Sequence, residues 1–185
     1  MYYFVSLRFQ NVITMTNASI LNEIITSRKS IFPKDYSAEP IEEAVLEEIV
    51  RSADYAPNHK RTRPWRLRVF RGKEKAQLGK ELARLYKKNA SAEDYSESKE
   101  KAIVQRVEQS NAIVTISIRF SGEVAQWEEV AATAMAVQNM YLSCTANGVG
   151  CYWGTPGFMH QLRDFLRLED DQECYGLFFM GKVKI

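Results

Sequence analysis

The chain has 185 residues, 45% of them hydrophobic and 26% charged, which excludes the weakly hydrophobic, highly charged composition of a disordered chain. Lys and Arg total 25 against 23 Asp and Glu, a net charge of +2, so overall charge points to no polyanionic partner. The three Cys are too sparse for a disulfide scaffold and fit a reducing compartment, and no run approaches the roughly 20 apolar residues of a membrane-spanning helix. A soluble, cytoplasmic, globular protein is expected.

Met1–Thr14 carries Tyr2, Tyr3, Phe4, Val5 and Leu7, but Arg8 and Gln10 interrupt the apolar run. With neither a basic start nor a small-residue cleavage site, no secretory signal is expected. Met15 is a second plausible start, so residues 1–14 read as an extension that packs on a neighbour or derives from an upstream start codon. Residues 15–185 read as a single domain. Asn17 is placed to cap a helix with the apolar stripe Ile20, Leu21, Ile24 and Ile25, ending near Ser27; Pro33 then keeps the chain extended. Pro40 suits the first turn of a second helix that buries Ile41, Val45, Ile49 and Ala53 and stops before Pro57.

Trp65, Leu67 and Val69 alternate with Arg66 and Arg68, the pattern of a half-buried strand. Two charged helices follow, over 74–88 and 95–109, joined by the polar stretch 89–94, and 112–118 is a strand apolar on both faces. The segment 127–146, rich in Ala and Met, predicts a long, central buried helix ended by Gly148. A short strand over 149–153, a helix over 161–168 and a last strand over 175–180 complete one mixed α and β domain without repeats or linkers.

Generic catalytic signatures are absent: the three Cys and two His have no metal-ligand spacing, and there is no nucleophile elbow, phosphate-binding lysine loop or dinucleotide fingerprint. Three local features remain. In Ser27-Arg28-Lys29-Ser30, two cations and two hydroxyls match the oxygens of a phosphate monoester, or simply solvate a helix end. Between Pro57 and Pro64 a stiff loop presents Asn58 and His59, with Trp65 beside it as ligand wall or core plug. The turn from Gly148 to Gly157 permits close backbone approach to a ligand, or needs glycine for geometry alone.

Their order is more telling than any one of them. Arg28-Lys29-Ser30, Ala56-Pro57-Asn58-His59-Lys60, Pro64-Trp65, the Ala-rich helix with Gln138-Asn139, and Gly148-Val149-Gly150-Cys151-Tyr152-Trp153-Gly154 together resemble the nitroreductase family, and within it the small, minimal branch. The resemblance implies an α+β fold with a central antiparallel sheet flanked by helices, in an intertwined homodimer with FMN at the subunit interface. It implies electron transfer from NADH or NADPH through FMN to a nitroaromatic, quinone or similar small acceptor, with no catalytic side chain and no metal. Arg28, Lys29 and Ser30 then correspond to contacts with the FMN phosphate, ribityl chain and pyrimidine edge, Lys29 being the candidate that stabilises the reduced flavin. Tyr55, Asn58 and His59 correspond to the loop reaching the FMN of the other subunit, and Trp153, Gly154 and Thr155 to the turn against the flavin. Ser143, Cys144, Thr145, Ala146, Asn147 and Gly148 resemble a helix end assigned to the nicotinamide nucleotide. Lys182, with Lys184, stands where relatives carry basic residues directed at the phosphate, and 89–98 is a candidate wall of the acceptor pocket.

Two other readings stay open on sequence alone. One is a flavin-binding protein with little turnover, acting in flavin storage or cofactor metabolism. The other is a nucleic-acid-binding module using the basic stretch 60–75, although the near-zero net charge argues for no nucleic-acid partner.

Overall fold

The computed structural model describes residues 16–184; the extension over 1–14 lies outside the described residues. Helix α1 (Asn17–Ser27) is capped by Thr16 rather than Asn17: the Thr16 hydroxyl accepts the Ser19 N–H at 3.1 Å. The stripe Ile20, Leu21 and Ile25 is exposed, and no residue of α1 is buried. Helix α2 (Glu43–Ser52) starts three residues after Pro40, because the chain stays extended through Glu42. It buries Leu46 and Ile49, with Ile41 and Ala53 flanking it in the core, while Val45 is only half-buried.

Strand β1 (Trp65–Phe70) leads into the paired helices α3 (Gly72–Asn89) and α4 (Glu97–Gln109). Then come β2 (Ala112–Arg119), α5 (Gln126–Ala146), β3 (Val149–Gly154), the one-turn helix α6 (Arg163–Leu166) and β4 (Gln172–Lys182). The helix expected over 161–168 is instead a 3₁₀ turn at Met159–Leu162 followed by α6, stopped by Arg167 in the left-handed conformation.

All pairings are antiparallel, in the order β1-β2-β4-β3, which leaves β1 and β3 as edges. Central β2 is buried on both faces from Ala112 to Ile118, as its sequence demands. On one face Val114, Ile116, Phe178 and Met180 meet Ala136, Val137 and Met140 of α5, together with Leu46 and Ile49 of α2. On the other, Ile113, Leu177 and Phe179 meet Leu78, Leu82 and Leu85 of α3 and Val107 of α4. Trp65 belongs to the first core, its indole N–H donating to Asp54 Oδ1 at 3.2 Å; it is a core plug.

The long helix α5 is not enclosed as the sequence led us to expect. Ala132, Ala136, Val137 and Met140 face the sheet, but Trp127 is 70% exposed and Met135 is exposed as well. With the α1 stripe they leave apolar side chains on the outer surface of the chain.

Register shifts between Ile116 and Ser117, which leaves Tyr175 as the extra residue of β4. The following Gly176 has φ +136°, and a Cβ there would lie 2.4 Å from Trp153 Nε1. The bulge and the missing side chain thus seat the Trp153 indole, whose N–H donates to the Tyr175 carbonyl at 3.1 Å.

Candidate cofactor and substrate site

The segment after α1 runs along the free edge of β3, where the Ile31 N–H donates to the Cys151 carbonyl at 3.0 Å. Tyr36 holds it there. The Tyr36 hydroxyl donates to the Ile31 carbonyl at 2.8 Å, with the Phe179 carbonyl at 3.2 Å, and burial pushes its pKa far above the ordinary phenol range. Its ring fits because Gly150 and Gly181 carry no side chain: a Cβ on Gly181 would come within 2.4 Å of the ring and one on Gly150 within 2.8 Å. Those two glycines therefore serve packing.

Arg28, Ser30 and Trp153 converge on Tyr141, a residue of α5 that the sequence did not single out. The Arg28 guanidinium lies 5.3 Å from the Tyr141 ring centroid. The Tyr141 hydroxyl accepts the Trp153 N–H at 2.7 Å and has the Ser30 hydroxyl beside it. Burial raises the Tyr141 pKa; Ser30, the Trp153 N–H and the Arg28 charge pull against that. The available signal was a lone tyrosine on an Ala- and Met-rich helix, an apolar body with a polar tip. Lys29 is exposed and makes no ion pair or hydrogen bond among the described residues.

Gly154, the last residue of β3, and the following Thr155 line a cavity of about 390 Å³ between the sheet and helices α3 and α4. A Cβ on Gly154 would lie 3.2 Å from both the Tyr152 and Phe179 rings, so the glycine keeps this floor open. Tyr86 and Lys99, on either side of the candidate wall over 89–98, line this cavity, and Asn89, Ala90 and Asp94 line an adjoining one that shares Tyr86, Lys99 and Phe158.

The loop residues lie elsewhere. His59 Nδ1 is 2.8 Å from Glu128 Oε2 at the start of α5, and Lys60 Nζ donates to the Glu123 carbonyl at 2.9 Å. Asn58 Oδ1 accepts the Arg63 N–H at 3.0 Å, closing a turn in which Lys60, Arg61 and Arg63 all have positive φ. Tyr55 is 79% exposed. Glu128 and Tyr141 stand more than three turns apart on α5, about 20 Å at 1.5 Å per residue. Within the chain, Tyr55, Asn58 and His59 are thus separated from the Arg28 cluster.

Lys182 lies opposite Val149, at the far end of β3 from Trp153, with its ammonium 3.8 Å from Glu39 Oε2. Lys184 Nζ donates to the Lys34 carbonyl at 2.7 Å. In the helix end 143–148, Thr145 and Asn147 bond carbonyls of their own helix. Cys144 is fully buried in the core, its thiol pushed up by burial and by Cys151 beside it. Its side chain is core rather than ligand surface, because the helix turns it toward the sheet; Ala146, Asn147 and Gly148 are exposed.

In the basic stretch, Arg68 pairs with Glu74 and Arg71 with Glu43, Arg66 bonds the Arg63 carbonyl, and Lys75 bonds the Ser110 carbonyl. These cations serve local structure. Among the described residues, no group of three His, Cys, Asp or Glu could hold a metal, and no helix is long and apolar enough to cross a membrane.

An antiparallel sheet between two helical layers, with a cation-and-hydroxyl segment laid along one edge strand, defines an α+β protein of nitroreductase-like architecture. The model of the nitroreductase family matches residues 25–182, and the chain belongs to that family. It is 32% identical over 170 residues to a curated relative named NAD(P)H nitroreductase YfhC, from Bacillus subtilis (strain 168), covering 88% of this chain and 84% of that one. Similar solved structures include the nitroreductase-like family protein from Bacillus cereus, with TM-score 0.77 and 22% identity over 93% of this chain and 90% of that one. Another is a nitroreductase in complex with FMN from Desulfovibrio desulfuricans, with TM-score 0.68 and 18% identity over 93% and 89% of the two chains.

Proposed function

We propose that this protein is a cytoplasmic, FMN-dependent oxidoreductase that takes electrons from NADH or NADPH and passes them to a nitroaromatic, quinone or similar small acceptor. For a nitro group the balance is nitroarene + NAD(P)H + H⁺ → nitrosoarene + NAD(P)⁺ + water. The observation that carries the proposal is the convergence of Arg28, Ser30 and Trp153 on Tyr141 along the free edge of β3, in a chain of this family.

The residues present fit the group. Arg28, held against the Tyr141 ring, supplies a bidentate cation for a phosphate, with Ser30 as a hydroxyl partner and the exposed Lys29 as added charge. Trp153, Gly154 and Thr155 present backbone beside an open floor where a planar ring can lie. When bound, FMN supplies the redox chemistry, accepting a hydride and returning electrons to the acceptor. The protein holds, orients and shields, so no acid–base triad is required. Donor and acceptor use one open face in turn, a ping-pong order. Lys182, at the end of β4 opposite Val149, brings its ammonium to the phosphate only by leaving Glu39.

A homodimer completes the site. Helix α1 buries nothing in its own protomer, and an isolated helix of its 11 residues is marginal in water. A partner covering the exposed stripes of α1 and α5 removes both problems and carries its own Tyr55, Asn58 and His59 to the Arg28 side of this protomer.

The test is Arg28→Ala, with FMN titrated into the apo forms by fluorescence quenching. Removing one partner of a hydrogen-bonded charge pair costs roughly 2–5 kcal/mol, or about 30- to several-thousand-fold in FMN affinity. Arg28→Lys recovers part of this, keeping charge but not the fork. An unchanged dissociation constant in Arg28→Ala would sink the phosphate assignment. FMN binding without reduction by either nicotinamide nucleotide would favour a storage role instead.

A further inference from the structure

The loop that presents Asn58 and His59 is strained, and it is tied down from outside. Among the described residues four that are not glycine have positive φ, and three of them fall here: Lys60 at +49°, Arg61 at +58° and Arg63 at +45°. A side chain disfavours that conformation, so it persists only where the surroundings impose it, and such strain gathers at ligand clamps. The start of α5 imposes it. His59 Nδ1 meets the Glu128 carboxylate at 2.8 Å, and the Lys60 ammonium donates to the Glu123 carbonyl at 2.9 Å. The turn carrying Glu123 is itself fixed. Both carboxylate oxygens of the buried Glu129 lie 3.2 Å from the Ser121 N–H, which donates to them, and the Ser121 hydroxyl accepts the Glu123 N–H at 3.1 Å. Two adjacent acids in the first turn of α5 thus act in opposite directions: Glu129 reaches back to hold the turn, and Glu128 reaches out to hold the imidazole. A carboxylate only accepts, so Nδ1 carries the proton and Nε2 is left as an acceptor. The His59 side chain is 59% exposed, so the ring is held without being covered.

We propose that Glu128 is a positioning residue for the cofactor: it sets the tautomer and orientation of His59, and with them the loop that meets the FMN of the partner subunit. The inference rests on the function and the homodimer proposed above and deepens them by naming the residue behind the loop. Nε2 of the ring so held is an acceptor for a hydroxyl or ring N–H of the cofactor. Tyr141, more than three turns further along α5, supports the Arg28 cluster of the same chain, so one helix would brace both halves of the site. A site built this way is set before the ligand arrives, because the groups behind the contacting residue are already bonded.

The experiment has two readouts. The first is nitrogen NMR of the apoprotein with labelled imidazoles, of which the chain has two, at a pH where they are neutral. The parent is expected to carry the His59 proton on Nδ1, and Glu128→Ala to lose that preference. A parent ring protonated on Nε2 instead overturns the proposal. The second is a double-mutant cycle in FMN affinity, titrating FMN into the parent, Glu128→Ala, His59→Ala and the double variant. Glu128→Ala should weaken FMN about three- to tenfold, the scale of one net hydrogen bond, but less than about twofold once His59 is alanine. Glu128→Gln keeps an acceptor oxygen and should retain part of the affinity. An equal loss in both backgrounds overturns the proposal, because Glu128 would then act on the helix or the dimer and not through His59. So does an unchanged dissociation constant in Glu128→Ala. A parent that binds no FMN refutes the flavoenzyme reading itself, a failure read before any variant is titrated.

Discussion

Tyr141→Phe removes a single oxygen from the point where the proposed site is joined to the core. The ring stays, so the 5.3 Å contact with Arg28 and the edge-on contact with Phe178 at 4.9 Å and 85° stay with it. What goes is the acceptor for the Trp153 N–H at 2.7 Å and the neighbour of the Ser30 hydroxyl. Trp153 lies on an edge strand and is half-buried, so its N–H keeps little access to water, and leaving such a donor unmatched costs about 1–3 kcal/mol. Urea denaturation of the apoprotein is expected to show that loss, with FMN binding weakened as Trp153 and Ser30 loosen. Tyr141→Leu should cost more, since it also removes the cation–ring and edge-to-face contacts, each worth about 0.5–1.5 kcal/mol. A Tyr141→Phe protein within about 0.5 kcal/mol of the parent, with unchanged FMN affinity, refutes the reasoning.

Two further outcomes are expected. Light scattering should report a dimer, and Ile25→Glu or Met135→Glu, placed on the exposed stripes of α1 and α5, should shift it to monomer and weaken FMN; a folded, flavin-loaded monomer of the parent chain at micromolar concentration would contradict the shared site. Burial raises the Tyr36 pKa above its unfolded value of about 10, so the neutral phenol's stabilisation is complete below pH ~10 and is lost as pH rises beyond it. Between pH 10 and 11 the stability of the parent should fall more steeply than that of Tyr36→Phe, by up to about 1.4 kcal/mol per pH unit; equal slopes would show that Tyr36 ionises freely in the folded state.

The sequence by itself determined what is local. Hydrophobic period placed β1, β2, β3, α3 and α5 to within two residues, because period and caps are short-range properties of the chain. Boundaries failed where a neighbouring group competed, as when Thr16 displaced Asn17 as the α1 cap, or where a 3₁₀ turn satisfied the backbone in place of a regular helix over 161–168. The order of short motifs, Arg28-Lys29-Ser30 through Trp153-Gly154, carried the family because it survives without knowledge of contacts. The meeting of particular polar atoms was decided only by tertiary structure. Tyr141 reaches Trp153 because α5 packs against β3, a strand that follows it in the chain. Gly150 and Gly181 are glycines because the Tyr36 ring arrives from a distant segment, while Gly154 borders an open cavity; in the sequence these residues are alike. Trp65 went to the core while Trp127, on a helix that is apolar on most faces, was left at the surface. A side chain's partner depends on strand register and layer packing, which are sums over the whole chain, and no window of neighbouring residues contains them.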